Sequence, residues 1–237
     1  MTVNFATIDK LIEEGFLMDS RFNSPAEIAS LVSKSGVTKS MLSLPKMILL
    51  GLMAGAFIAF GGAASDVAMH GVADVGLARV VAGVIFPVGL MLVVFTGSEL
   101  FTGNCLMIIP TLEKKIKVAS MLRNLVVVYI SNFVGAMIID LLITFSGQLN
   151  YSNGGLGAFT IKVALAKTTI NPATAIISGI LCNILVCLAI VMATGATDAI
   201  GKIFGVFFPI CAFVVCGFEH CVANMFYIPI GVMAAMN

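Results

Sequence analysis

Thirty consecutive residues, Thr168 to Thr197, carry no charged side chain, and Met47 to Ser65 is a second uncharged run. A helix rises 1.5 Å per residue, so about 20 apolar residues cross the roughly 30 Å hydrocarbon core of a bilayer. Backbone in lipid must satisfy its own hydrogen bonds, which leaves the α-helix as the way for such runs to cross. Three more runs share this character but hold ionisable residues. They are Val80 to about Pro110 with Glu99, Asn124 to about Phe145 with Asp140, and Ile203 to the C-terminus with Glu219-His220. Only 11% of the 237 residues are charged and 59% are hydrophobic, whereas a soluble domain is about 25% charged. The chain is therefore expected to be an all-α integral membrane protein. A net charge of +1 with no basic stripe excludes a nucleic-acid partner. No His-Glu-x-x-His or Gly-x-Ser-x-Gly occurs, so an enzyme is not expected and no cofactor is called for.

Residues 1–46 differ in kind. They hold Lys10, Arg21, Lys34, Lys39 and Lys46 with five acids, and place Ile8, Leu11, Ile12 and Phe16, then Ile28, Leu31 and Val32, at helical spacing. They read as an N-terminal segment of amphipathic helices, lying on the membrane surface or against neighbours, ahead of a transmembrane domain over 47–237. Ser24-Pro25-Ala26-Glu27 has the form of a helix start, with a capping box and a proline in the first turn. If the N-terminus is cytoplasmic and the runs alternate, ten of the thirteen Lys and Arg fall on the cytoplasmic side. Arg79, Lys162 and Lys167 fall on the other. The excess of positive charge inside favours that orientation.

The second and fifth runs are too long for one straight span, since a helix from 80 to 112 would measure about 50 Å. Each is interrupted by the same pattern. Gly97-Ser98-Glu99-Leu100-Phe101-Thr102-Gly103-Asn104 and Gly217-Phe218-Glu219-His220-Cys221-Val222-Ala223-Asn224 both read Gly-x-Glu-x-x-x-small-Asn, 120 residues apart, and each follows a Phe-Pro, at Phe86-Pro87 and Phe208-Pro209. Segments three spans apart enter from opposite sides. Two matching interruptions therefore predict an inverted repeat whose broken helices meet near the midplane, where transport sites are built.

Half-helices starting after each break would turn free N–H groups toward the centre, which favours anions. The flanking residues are apolar, so a bare anion meets a desolvation cost that its neutral conjugate acid avoids. His220 is the candidate proton donor, against a structural histidine bonded to a carbonyl. Glu99 and Glu219 would repel an anion if free, and are expected instead to brace the broken backbone, with Asn104 and Asn224 at matching positions. Asp140 is expected near the interface. The six cysteines (Cys105, Cys182, Cys187, Cys211, Cys216 and Cys221) form no Cys-x-x-Cys pair and read as reduced packing residues, so no metal site is expected. A pore for small monovalent anions is the leading reading. A neutral-solute pore is the rival, with Asn171-Pro172-Ala173 occurring once, before the fourth run.

With these residues identified, the chain resembles the formate/nitrite transporter family of formate, nitrite and hydrosulfide channels. The resemblance rests on Thr96 through Asn104, on Asn183-Ile184-Leu185-Val186-Cys187-Leu188-Ala189, and on Gly217 through Pro229. In order and spacing it covers roughly residues 25 to 232. It implies an aquaporin-like helical bundle and a homopentamer embedded in lipid, with one pore per protomer carrying small anions and protons. It also implies roles for particular residues. Leu100, Phe101 and Thr102 would sit at the pore on the first break, Phe86, Leu90 and Phe213 would narrow it, and Val186 would line it. His220 would be the central histidine, and Lys167 a vestibule lysine that attracts anions and favours their protonation. Read without the resemblance, Lys167 is a solvated loop charge. The family has six spans, and a counterpart of the sixth, with its polar asparagine, is not found before Asn237.

Overall fold

The structure is a computed structural model that describes residues 22–236. The amphipathic spacing of Ile8, Leu11, Ile12 and Phe16 lies outside the described residues. Among those described there is no strand, only an isolated antiparallel bridge between Phe22 and Ala196.

The first helix, α1 (Pro25–Ser40), starts where its sequence indicates. Ser24 N–H donates to Glu27 Oε2 (2.7 Å) and Glu27 N–H donates to Ser24 Oγ (3.4 Å), which completes the capping box behind Pro25. The Ser24 hydroxyl, with its backbone N–H, holds the Glu27 carboxyl below its ordinary range. Ile28 and Val32 face inward, whereas Leu31 is 41% exposed. The helix packs on the chain after the first break, with Gly36 tight against Pro110.

The first span, α2 (Leu44–Met69), continues past Ser65. The uncharged run from Met47 ends at Ser65 because the Asp66 carboxyl follows it, yet Asp66 is buried within the helix. Packed along α2 is α7 (Val118–Phe145), the 28-residue third span. Their backbones touch. A Cβ on Gly55 would lie 1.9 Å from Asn132 O, and one on Gly135 would lie 2.0 Å from Leu52 O. Only glycine permits that approach.

In chain order, the first broken span comes between these two. Helices α3 (Val75–Ile85) and α4 (Val88–Thr96), joined at Phe86-Pro87, together cross the membrane. Gly97, at φ +67°, ends α4 in a left-handed turn. The chain resumes as α5 (Phe101–Asn104), a 3₁₀ turn over Cys105–Met107 and α6 (Ile108–Leu112).

The second half repeats this order. Helix α8 (Gly155–Thr168), a short helix not anticipated in the sequence, plays the part of α1. It packs against α11, with Gly231 against Thr160 and Ala164. The next span is α9 (Pro172–Gly195), capped by the Asn171 side chain, which accepts from Ala173 N–H at 2.9 Å. The second broken span follows as α10 (Ala199–Cys216), which ends at Gly217 with φ +73°, and α11 (Cys221–Met236).

Large apolar side chains face outward along the spans. Examples are Leu49, Phe60, Leu142, Ile177 and Phe208, each about half exposed or more. Asp140 is fully buried in α7 with no partner for either oxygen among the described residues.

Candidate permeation pathway

Two interrupted helices bring their breaks to one place. Thr102, in α5, and His220, immediately before α11, are 118 residues apart, yet Thr102 Oγ1 lies 3.1 Å from His220 Nε2. Both are 4% exposed. The Ala223 N–H donates to His220 Nδ1 at 2.9 Å. An Nδ1 that accepts has no hydrogen of its own, so the ring hydrogen sits on Nε2 and donates to Thr102 Oγ1. With Nε2–H given to Thr102 Oγ1, the hydroxyl hydrogen of Thr102 is the donor of the pair left for a substrate.

Aromatic rings border this pair. Phe213 stacks on the His220 ring at 5.7 Å and 18°, and Phe86 meets Phe213 edge-on at 5.6 Å. Phe101 lies edge-on to Tyr129 at 4.9 Å. Leu90, Leu100 and Val186 belong to the same buried core as Phe86 and Phe213.

The two breaks carry the same side-chain arrangement. At the first, Lys39 Nζ donates to Glu99 Oε1 (2.6 Å) and Asn104 Oδ1 (2.9 Å), while Asn104 Nδ2 donates to Glu99 Oε2 (2.7 Å). At the second, Lys167 Nζ and Asn224 Nδ2 both donate to Glu219 Oε2 at 2.8 Å. Lys39 and Lys167 each stand in the last turn of the short helix that opens its half. The glutamates bind lysine and asparagine side chains, not the broken backbone. The first break's backbone is held instead by Asn132 of α7. Its Oδ1 accepts from Phe101 N–H (2.9 Å), and its Nδ2 donates to Glu99 O (2.9 Å) and Gly51 O (2.8 Å). At the second break, Glu219 N–H donates to Ser178 Oγ at 2.9 Å.

Two cavities meet at the centre. One, of about 790 Å³, opens along α9 and reaches Phe101, Thr102, Asn183, Cys187 and His220. The other, of about 650 Å³, is a vestibule lined by Asp66, Arg79, Phe86, Lys162, Phe213 and Tyr227, also ending at His220. Lys167, Glu219 and Asn224 border both. Leu90, Leu100 and Val186 line neither cavity and lie in the packed wall. On the α1 side, a cavity of about 40 Å³ touches Lys39 and Gly103.

Sequence reasoning brought out Thr102, His220 and both glutamates but passed over Lys39, Asn132, Tyr227 and Asp66. Lys39 had a signal that could have been read. It ends the helix before the first span as Lys167 ends the helix before the fourth, and the Glu repeat invites that comparison. Asn132 sits alone in an apolar run, and no pattern marks it.

These features define a multi-pass membrane pore built on two broken helices. Residues 26–237 match the family described as "Formate/nitrite transporter", and the chain belongs to that family. It is 42% identical over 233 residues to the "Probable formate transporter" of Methanothermobacter thermautotrophicus, covering 91% of this chain and 85% of that protein. It is 34% identical over 211 residues to the "Formate channel FocA" of Escherichia coli, covering 88% and 74%. Among solved structures it resembles a "Pentameric formate channel with formate bound" with a TM-score of 0.73 at 33% identity, over 80% of this chain and 75% of that one. It also resembles an "FNT family ion channel" with a TM-score of 0.79 at 28% identity, over 88% and 84%. The family is one of transporters and channels, not of enzymes.

Proposed function

We propose that the protein is a pentameric channel that carries formate, or a similarly small monovalent anion, across the membrane together with a proton. The observation that carries this reading is the Thr102–His220 pair, buried and hydrogen-bonded where two cavities meet. An anion arriving bare would have to leave its water to pass Phe86 and Phe213, whereas the neutral acid crosses the same wall at far lower cost. At the centre, the Thr102 hydroxyl, oriented by His220 Nε2–H, offers a hydrogen bond to the substrate's oxygen, and a substrate oxygen that displaces Thr102 Oγ1 receives the Nε2–H. His220 thus positions the substrate and supplies the polar end of a proton path, and Thr102 is its partner in binding.

The ion pairs support an anion route. A free glutamate at either break would repel the substrate, but Lys39 neutralises Glu99 and Lys167 neutralises Glu219. Lys167, with Arg79 and Lys162 on the vestibule wall, leaves that side attractive to anions. Leu90, Leu100, Phe101 and Val186 keep the surrounding wall apolar. Glu99, Glu219, Asn104 and Asn224 hold the two lysines in place. The positive-inside excess supports a cytoplasmic N-terminus with this vestibule outside. The pentamer rests on the likeness to the pentameric formate channel.

Proteoliposome uptake of formate, nitrite and hydrosulfide, beside formamide as a neutral control, tests the reading. Saturating uptake of an anion, with formamide excluded, is the expected result. Formamide and ammonia passing while the anions do not would establish the neutral-solute pore instead. One fact already weighs against that rival. The single Asn171-Pro172-Ala173 caps α9, its Asn side chain is bound to Ala173 N–H, and neither break carries that motif.

A further inference from the structure

Three acidic side chains lie close to the pathway, and two of them are occupied. Glu99 is bonded to Lys39 and Asn104, and Glu219 to Lys167 and Asn224. The third is Asp66, in the last turn of α2, which lines the vestibule and is only 3% exposed. Among the described residues no hydrogen bond reaches either of its oxygens, and Oδ2 is sealed from solvent.

The nearby donors are engaged elsewhere. Ser65 Oγ donates to Gly62 O at 2.7 Å, so the 3.1 Å contact between Ser65 Oγ and Tyr227 Oη is a bond that Tyr227 donates. The Lys167 ammonium is bonded to Glu219 and stands over the Tyr227 ring at 5.2 Å from its centroid. Lys167 is nonetheless within electrostatic reach of Asp66. Other titratable or charged groups face this region from each neighbouring helix. Arg79 comes from α3, Lys162 from α8, Glu219 and His220 from the second break, and Tyr227 from α11. His70 lies on α2 itself, where it is bonded to Val67 O and Ser152 Oγ. Asp140 lies on α7, and α4 carries no titratable group.

An ionised carboxylate with no cation or donor on it is strongly disfavoured in such a surround. A carboxyl that keeps its proton is at home there, and it has a hydrogen to give. We propose that Asp66 is the proton-exchanging residue of the vestibule, the group that protonates the incoming anion before it meets the aromatic constriction. This rests on the proposed proton-linked passage of a small carboxylate. The anion is drawn in by Arg79, Lys162 and Lys167. The O–H bond of Asp66 breaks, its electron pair stays on the Asp66 carboxylate, and a new O–H bond forms on the substrate. The neutral acid moves past Phe86 and Phe213 to Thr102 and His220. The Asp66 carboxylate, left facing Lys167, regains a proton from vestibule water. Outward passage runs the same steps in reverse.

The test is formate uptake by wild type, Asp66→Asn and Asp66→Glu in proteoliposomes, followed across roughly pH 5 to 8. Asn keeps the shape and a hydrogen-bond donor but has no proton to give. Asp66→Asn is expected to lose about a hundredfold in uptake near neutrality, the lower end of general-acid effects, and to approach wild type at the acid end, where the neutral acid is supplied from solution. Asp66→Glu is expected to retain most of the uptake. Superimposable pH profiles for wild type and Asp66→Asn, or an equal loss at every pH, overturn the proposal while leaving the channel reading intact. Failure of wild type to take up formate defeats the channel reading itself. Should Asp66→Asn not assemble, infrared difference spectra of wild type and Asp66→Glu decide the matter. A carboxylic C=O band that responds to formate and shifts in Asp66→Glu supports the proposal, and an unresponsive or unshifted band contradicts it.

Discussion

The two breaks share a sequence pattern and an ion-paired glutamate, yet they are held differently. The first is pinned through its backbone by two neighbouring spans: Asn132 of α7 bonds Phe101 N–H and Glu99 O, and Leu50 O of α2 accepts from Glu99 N–H at 3.1 Å. Its glutamate is nearly sealed, the Glu99 side chain being 4% exposed. At the second break the Glu219 side chain is 17% exposed. One side-chain contact, from Ser178, reaches the backbone there, and the face of α9 beside it opens into the 790 Å³ cavity. The difference suggests a division of labour. The first break is a fixed frame that sets where Thr102 points. The second carries the groups that meet the substrate, His220 and the Lys167–Glu219 pair, in a more accessible setting.

The harshest way to break the comparison is to remove the frame. Asn132→Leu strands the Phe101 N–H and the Glu99 carbonyl of the break, each costing about 1–3 kcal/mol when buried without a partner. Assembled protein in detergent is expected to be destabilised by about 3 kcal/mol or more. A melting temperature equal to wild type would mean that the first break does not depend on α7.

The lysines sharpen the contrast. Removing one partner of a buried ion pair costs about 3–5 kcal/mol, and much less where solvent screens the remaining charge. Lys39→Met should therefore lower the melting temperature clearly more than Lys167→Met, because Glu99 is the more deeply buried glutamate. Lys167→Met should instead weaken apparent formate affinity in uptake assays. Equal destabilisation by the two substitutions would remove the asymmetry. Lys39→Met paired with Glu99→Gln should recover much of the lost stability.

The smallest effect concerns the helix that delivers Lys39. The folded Glu27 carboxyl is held below its ordinary value by Ser24. A depressed carboxylate stabilises above its unfolded value, and that stabilisation is lost as pH falls through the lower folded value. Protection factors at the first amides of α1, corrected for the intrinsic exchange rate at each pH, should fall on that descent, and Glu27→Gln should flatten the dependence. A wild-type dependence that survives in Glu27→Gln would place the titrating group elsewhere.

Much of this architecture was legible in the sequence because it is periodic or repeated. Long uncharged runs marked the spans, the Gly-x-Glu pattern marked both breaks and hence His220, and the family resemblance marked Thr102. The unread parts depend on single residues or on contacts between distant segments. Helix α8 escaped notice because it is only 14 residues long and carries Lys162 and Lys167, so it looked like loop. The end of α2 was misplaced because Asp66 resembles a boundary until its burial is seen. Asn132 and Lys39 act on residues 31 and 60 positions away, a distance that no local pattern reports. The wall positions Leu90, Leu100 and Val186 were identified by resemblance, and the structure places them in the buried core that also holds Phe86 and Phe213, on the lining of neither large cavity.

The most direct test of the central claim is the number of protons that accompany each formate. Proteoliposomes loaded with a pH indicator would receive labelled formate with the membrane potential clamped, in wild type and in Thr102→Val. Proton-linked passage through the paired breaks predicts one proton per formate in wild type and a large fall in both fluxes together in Thr102→Val. Formate that enters without acidifying the interior, or fluxes unchanged in an assembled Thr102→Val protein, would contradict it.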